Sequence, residues 1–339
     1  MALKFAFAGF QHSHIIAVYN LAKQSDEIEI VAACEESPKR REELKQTGNI
    51  DITHDNFRKM LDEVECDVIA IGDIFAKRGN IAIKALENGK HVISDKPICC
   101  KLEELEKIES LANEKNLIIG CQLDLRSSAA IRKMKELIEN DEIGQVHTIT
   151  FTGQHPLSIG IRPNWYFEDN LHGGTINDIA VHGIDALEWM TGRKIVQVIA
   201  ARAWNAKAKQ YPKFQDGAQF ILKLDNNGGV ISDVSYLTPD GAYDVPNYYR
   251  FTIHGDKGQL EATYKSKAIL LIKANDKTNY LIAADNPRPN AYFIDFIEQV
   301  KGNNDNVELT NKDVIRAAYV SLVTQQAADE NKTYVNILK

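Results

Sequence analysis

The chain predicts an α/β fold: an N-terminal doubly wound parallel sheet, followed by an α+β domain with an open, mainly antiparallel sheet. Three observations lead there. Short apolar runs alternate with longer amphipathic segments up to about residue 120, paired runs with Gly-rich turns replace them after about residue 145, and 339 residues at 44% hydrophobic content suffice for two cores. The expected domains are 1–121 and 122–339, with the last helices free to pack back on the first.

Strands are predicted over Lys4–Ala8, Ile28–Cys34, Val68–Ile71, His91–Ser94 and Leu117–Cys121, each a short apolar run. Between them, Ser37-Pro38 opens a helix that closes at Gly48, and LEELEKIESLANEKN sets Leu102, Leu105, Ile108 and Leu111 on one face. Helices that join parallel strands in this way are right-handed crossovers. In the second half, QVHTITFTG, AQFILKL-DNNG-GVISDVSYL and RFTIHG-DKG-QLEATY read as strands joined by tight turns. A helix over 173–191 precedes the hairpins, and two helices, at roughly 290–301 and 311–328, close the chain.

A formal charge of −7, with no basic run beyond Lys39-Arg40-Arg41, argues against a nucleic-acid or anionic-membrane partner and for small-molecule chemistry. The apolar opening Leu3–Ala8 is too short for a signal-peptide core and contains Lys4, and no later run reaches membrane-spanning length, so a cytoplasmic protein is expected. The five cysteines, Cys34, Cys66, Cys99, Cys100 and Cys121, lack metal or redox spacing and read as reduced, small core residues.

The most informative stretch is GGTINDIAVHGID at 173–185. In a helix, Asp178, His182 and Asp185 share one stripe, so a carboxylate one turn from an imidazole can fix which ring nitrogen accepts a proton. A second reading stays open: Thr175 and Asp178 have capping-box spacing, which would leave His182 as a bonded core residue.

The first strand ends at Gly9, and Phe10, Gln11, His12 and Ser13 lead into an apolar helical run, where a dinucleotide diphosphate would meet helix-start amides. Glu35, closing the second strand, can accept bonds from ribose hydroxyls, which favours NAD over NADP. Lys39 and Arg40 keep NADP possible through a 2′-phosphate. Gln11 and His14 stand where a GxGxxG loop carries its second and third glycines, and a Cβ restricts backbone approach to phosphate.

Asp95-Lys96-Pro97 closes a buried strand, the place where ligands of open α/β sheets gather. There the ammonium of Lys96 could steady an alkoxide, with Pro97 stiffening the turn; the alternative is a surface Asp95–Lys96 pair.

Together, these places resemble the Gfo/Idh/MocA oxidoreductases over nearly the whole chain. The family's GKHV-x-x-EKP segment is matched by Gly89-Lys90-His91-Val92 through Asp95-Lys96-Pro97, and its GGG-x-x-x-D-x-x-x-H-x-x-D segment by Gly173, Gly174, Asp178, His182 and Asp185. Further echoes are AIKALENGKHV, Arg126, Trp165, FQDGAQFILKL and IHGDKGQLE. The resemblance implies a Rossmann domain, NAD as cofactor, a homodimer or homotetramer, and Lys96, Asp178 and His182 in the catalytic positions. The implied reaction is hydride transfer between nicotinamide and a secondary alcohol of a sugar, cyclitol or related polyol. Alternatives on the same fold are an NAD-dependent glycosidase working by transient oxidation and a non-catalytic sugar or nucleotide sensor. Arg78 departs from the family, standing where many members carry a His.

Arg126 and Trp165 are expected to join Lys96, Asp178 and His182 around the substrate, and Asp185 to support its helix. Trp165 and Tyr166 can equally be packing residues, and Arg162 reads as a solvated loop residue. His12 and His14 form a His-x-His pair, with His172 and His182 as further imidazoles, but no carboxylate at ligand spacing completes a set, so no metal is expected.

Overall fold

The computed structural model describes residues 2–241 and 248–338. They divide into two compact units: Met1–Gln122 with Asn170–His172 and Phe293–Ile315, and Leu123–Asp169 with Gly173–Tyr292 and Arg316–Lys339. Among the described residues, no helix is long and apolar enough to cross a membrane.

The first unit alternates strand and helix: β1 (Leu3–Ala8), α1 (His14–Gln24), β2 (Ile28–Cys34), α2 (Pro38–Thr47), α3 (Phe57–Glu63), β3 (Val68–Ile71), α4 (Phe75–Glu87), β4 (His91–Ser94), α5 (Leu102–Lys115) and β5 (Ile119–Cys121). Its strands pair in the order β2-β1-β3-β4-β5, every pair parallel. Both neighbours of β1 run the same way while the winding reverses across it, so the carboxyl ends of β1 and β3 flank the crevice where such sheets take ligands. Local chemistry sets the element ends. Ser37 and Asn56 accept the amides of Arg40 and Lys59 at the starts of α2 and α3, and Gly48, at φ 66°, closes α2. Strand β5 starts two residues later than the apolar run predicts, because Asn116 (φ 55°) ends α5 and the Leu117 amide still bonds back to Ala112.

The second unit opens with α6 (Ala129–Glu139) and β6 (Val146–Pro156), reaches α7 (Val181–Thr191), and continues through β7 (Ile195–Trp204), β8 (Gly217–Leu224), β9 (Gly229–Thr238), β10 (Arg250–Gly255), β11 (Gly258–Thr263), β12 (Ala268–Lys273) and β13 (Asn279–Ala283). Helix α8 (Ala291–Val300), which belongs to the first unit from Phe293 on, and α9 (Asn311–Asp329), which belongs to the second from Arg316 on, follow, then β14 (Thr333–Asn336) in the second unit. The order β13-β12-β11-β10-β6-β9-β8-β7-β14 is antiparallel apart from the parallel β6–β9 pair. Helix α7 packs on this sheet at Gly183, where an added Cβ would overlap the Phe151 ring of β6.

The helix expected over 173–191 is two structures. Residues Ile176–Ala180 form a π turn and α7 begins only at Val181. A π turn widens the coil and shifts every later side chain around the axis, so the 3.6-residue stripe does not describe Asp178 and His182. Of the capping box, the Thr175 half is absent: its hydroxyl donates to the Gln215 carbonyl and makes no cap.

Candidate active site

In the first unit, the strand-end loop is held by side chains where glycines would ordinarily shape it. Gly9 has φ +80°, and a Cβ there would lie 2.5 Å from Asp73 Cβ, so strand β1 ends hard against the residue after β3. Phe10 buries its ring completely, near Phe7 and Tyr19 at centroid distances of 6.0 Å each, and offers a ligand nothing but backbone. That backbone is engaged: the Phe10 amide donates to Glu35 Oε2 (2.7 Å) and its carbonyl accepts Arg40 Nε (2.8 Å). Glu35, 2% exposed, also accepts Gln11 Nε2 (2.7 Å) and the Ser37 amide (2.8 Å) on Oε1. The acid expected at ribose therefore clamps its own loop, and a ribose diol would have to compete with Gln11 or use the remaining lone pair of Oε2.

Asp95 is the centre of a second cluster. It is not a surface residue paired with Lys96; its carboxylate is wholly buried and meets the imidazole of His12 and, at 3.1 Å, Nη2 of Arg78. Arg78 is itself fully buried, donates from Nε to the Asp73 carbonyl (2.8 Å) and from Nη1 to the Lys96 (2.6 Å) and Pro97 (3.2 Å) carbonyls, and lies 4.4 Å over the Phe75 ring. Arg78 thus fastens the backbone of the lysine turn, in which the Lys96–Pro97 bond is cis. Burial holds the His12 imidazole down to about 4 despite the attraction of Asp95. Burial also works against ionisation of Asp95, yet the neighbouring imidazoles and the permanently charged Arg78 outweigh it and hold the carboxyl well below the usual range. His172 packs its ring against Phe75 at 5.5 Å.

In the second unit, Gly173 and Gly174 adopt φ 79° and 93°, and a Cβ on Gly174 would overlap the Gln325 amide, whose oxygen accepts the Ile176 amide (2.9 Å). This opening lets the π turn bury Asp178, 1% exposed, where its Oδ2 accepts the Tyr236 hydroxyl and lies 3.5 Å from that of Tyr166. One turn on, His182 Nδ1 lies 3.3 Å from Asp124 Oδ1. Asp124, just past β5, escaped sequence reasoning because nothing in local periodicity joins residues so far apart; the one available signal was its place near the carboxyl end of a strand. Tyr236 escaped because it reads as an ordinary inward position of β9. Burial pushes the hydroxyls of Tyr248 and Tyr249 up and that of Tyr264 up to about 12, with Asp124 adding to each, so these phenols stay protonated near neutral pH.

Other expected residues serve as supports. Arg126 makes a two-pronged pair with Asp185, Nε to Oδ2 at 2.9 Å and Nη2 to Oδ1 at 2.5 Å, which ties the turn after β5 to α7. Trp165 is buried and packs on Tyr166 at 4.6 Å. Arg162 is half-buried and engaged rather than a freely solvated loop residue: it donates to the Leu157 and Pro156 carbonyls and lies 4.7 Å and 5.0 Å from the rings of Tyr166 and Tyr236, the two phenols on Asp178.

The strand ends of the first unit fit a dinucleotide. The Ser13 side chain makes no cap on the first turn of α1, which suits helix-start amides to a diphosphate, and an acid closes β2 at the ribose position. Residues 3–123 match a family described as "Oxidoreductase family, NAD-binding Rossmann fold", and residues 131–261 match the GFO/IDH/MocA C-terminal domain. The chain is 23% identical over 257 residues to the levoglucosan dehydrogenase of Pseudarthrobacter phenanthrenivorans, covering 69% of this chain and 64% of that one. It is 20% identical over 281 residues to the myo-inositol 2-dehydrogenase of Thermotoga maritima, covering 82% and 78% respectively. Its fold is that of the inositol dehydrogenase homolog from Azotobacter vinelandii solved with NAD+, at TM-score 0.82, 15% identity, and coverage of 99% of this chain and 98% of that one. With its N-terminal NAD-binding Rossmann domain and its C-terminal domain both matched, the chain belongs to the Gfo/Idh/MocA family of oxidoreductases.

Proposed function

We propose that the chain is an NAD-dependent dehydrogenase acting on a secondary alcohol of a sugar, cyclitol or related polyol. The observation that carries this reading is the proton-handling set of the second unit: a buried Asp178 held by the Tyr236 hydroxyl, and His182 with Asp124 at its Nδ1. Relatives named levoglucosan dehydrogenase and myo-inositol 2-dehydrogenase support the substrate class.

In this reading Gly9, Gln11, His12, Ser13, Glu35 and Pro97 border the cofactor, together with the backbone of Phe10. The carboxylate of Glu35 repels a 2′-phosphate, which favours NAD over NADP. When bound, the nicotinamide accepts hydride at C4. His182 takes the hydroxyl proton, with the Asp124 carboxylate beside Nδ1 favouring the imidazolium that forms and Nε2 left for the alcohol. Lys96, its backbone fastened by Arg78, steadies the alkoxide. Asp178 completes the set. The exposed Ile221 and Ile231, direct cross-strand partners on β8 and β9, supply an apolar face through which two copies would associate.

The test is nucleotide titration by protein fluorescence, then absorbance assays for NADH across inositols, aldoses and phosphorylated sugars, with wild type and Lys96→Met side by side. Wild type should reduce NAD with at least one polyol, and the variant should bind NAD while losing roughly 100-fold or more in kcat. Cleavage of aryl glycosides without net NADH, or near-normal turnover by Lys96→Met, would overturn the reading.

A further inference from the structure

We propose that His12, His14 and Asp95 form a binding site for one divalent transition-metal ion of the zinc class. Each residue offers one ligand atom, and these atoms all lie within 4.8 Å of one another. Two come from the start of α1, where the rings of His12 and His14 sit with centroids 4.4 Å apart, and the third from the end of β4. The carboxylate that no local spacing supplies comes from topology, since β1 and β4 are far apart in the chain but flank β3 in the parallel sheet, so that their carboxyl ends lie on the same side of it.

The two oxygens of Asp95 are treated differently, and that points to a ligand. Arg78 Nη2 and the His12 ring both address Oδ2. Oδ1 is buried, receives no hydrogen bond, and has His14 Nδ1 at 3.5 Å. An ionised oxygen in a buried place without a donor is costly, and a cation between Oδ1 and the imidazoles removes that cost. Fully buried Asp95 and nearly buried His12 form the floor, while the His14 side chain, 46% exposed, forms a wall open to water, so the fourth position is left for solvent or an anionic ligand oxygen.

The donor set selects the ion. Two imidazoles and one carboxylate suit zinc, cobalt or nickel, whereas calcium and magnesium want oxygen ligands that the cluster lacks. Arg78 partly neutralises Asp95, so affinity should be moderate, with Kd on the order of 1 µM and well short of a closed structural zinc site. The inference shares His12 with the cofactor border of the dehydrogenase reading but requires no turnover.

The experiment uses the full chain, tag-free and stripped with EDTA, titrated with zinc by calorimetry and with cobalt by visible absorption. Wild type should take up one equivalent with the d–d bands of a four- or five-coordinate ion. His14→Ala, a change at a partly exposed residue that the fold tolerates, should weaken binding by about 100-fold or more, and His14→Asp, which restores a ligand, should recover much of it. No saturable uptake by wild type, or uptake unchanged in His14→Ala, overturns the site. Nucleotide titration of the EDTA-stripped, metal-free protein separates the two readings: NAD binding there without metal uptake in the parallel titration ends this one alone, and metal uptake with no NAD binding by the metal-free protein ends the dehydrogenase reading alone.

Discussion

His182 Nδ1 lies 3.3 Å from Asp124 Oδ1, and the two residues come from different elements, a turn after β5 and the first turn of α7. A carboxylate at one ring nitrogen fixes the ring's orientation and leaves the other nitrogen to exchange protons. Asp124→Asn should therefore lower kcat by roughly 10- to 100-fold while the melting temperature and NAD affinity stay near wild type. Steady-state kinetics beside a thermal melt checks this, and an unchanged kcat would remove Asp124 from the proton-handling set.

Tyr236 and Asp178 make a different kind of pair. The hydroxyl donates to Oδ2 of a carboxylate that is 1% exposed, and the Tyr236 ring is equally buried. Tyr236→Phe keeps the ring and strips the donor, which should cost about 1–3 kcal/mol of stability because a buried acceptor loses its partner. Tyr166→Phe, whose hydroxyl stands farther off at 3.5 Å, should cost less. Urea unfolding of the two variants ranks them, and equal losses would mean that the Tyr236 contact carries no special weight.

These two pairs also show what was legible in the sequence. Strand β1 and the turn after β4 could be read because apolar runs and the Asp95-Lys96-Pro97 segment are local signals. Asp178 and His182 could be read as residues, but not as a pair in α-helical register, because the π turn depends on Gly174 meeting Gln325 from α9. Glu35 is legible as an acid closing β2, but its bonds to the Phe10 amide and Gln11 are not, because they depend on the loop after β1 folding back on it. Asp124, Tyr236 and the Arg78–Asp95 pair are products of tertiary pairing, which no window along the chain contains.

Arg78 and Asp95 are both 0% exposed. Removing one member of a buried pair leaves the other charge uncompensated, so Arg78→Met should cost about 3–5 kcal/mol and also free the Lys96 and Pro97 carbonyls. Arg78→Lys restores charge but not the fork that reaches Asp73, Lys96, Pro97 and Asp95 together, so it should recover only part of the stability. Chemical denaturation of both variants tests the order, and a wild-type-like Arg78→Lys would show that charge alone suffices.

Asp73 supplies a pH signature. Burial raises its carboxyl to about 6 from an ordinary 3.8, with the Lys77 charge, the Ile74 amide and Arg78 pulling the other way. A raised folded-state value means that the folded protein holds this proton more tightly than the unfolded chain does. The resulting stability is fully present below the ordinary value and is lost as pH rises through about 6. A rise of that size corresponds to roughly 3 kcal/mol between the two ends of the window. Asp73→Asn keeps an oxygen for the Ile74 amide, bonded now at 2.6 Å, and has no proton to lose. Its stability relative to wild type should be near zero or slightly negative at low pH and should grow by about 2–3 kcal/mol toward pH 7.5. Taking the difference between the two proteins cancels every other titrating group. A difference that stays flat with pH would mean that Asp73 is ionised in the folded protein as readily as in the unfolded chain, and that its burial carries no electrostatic cost.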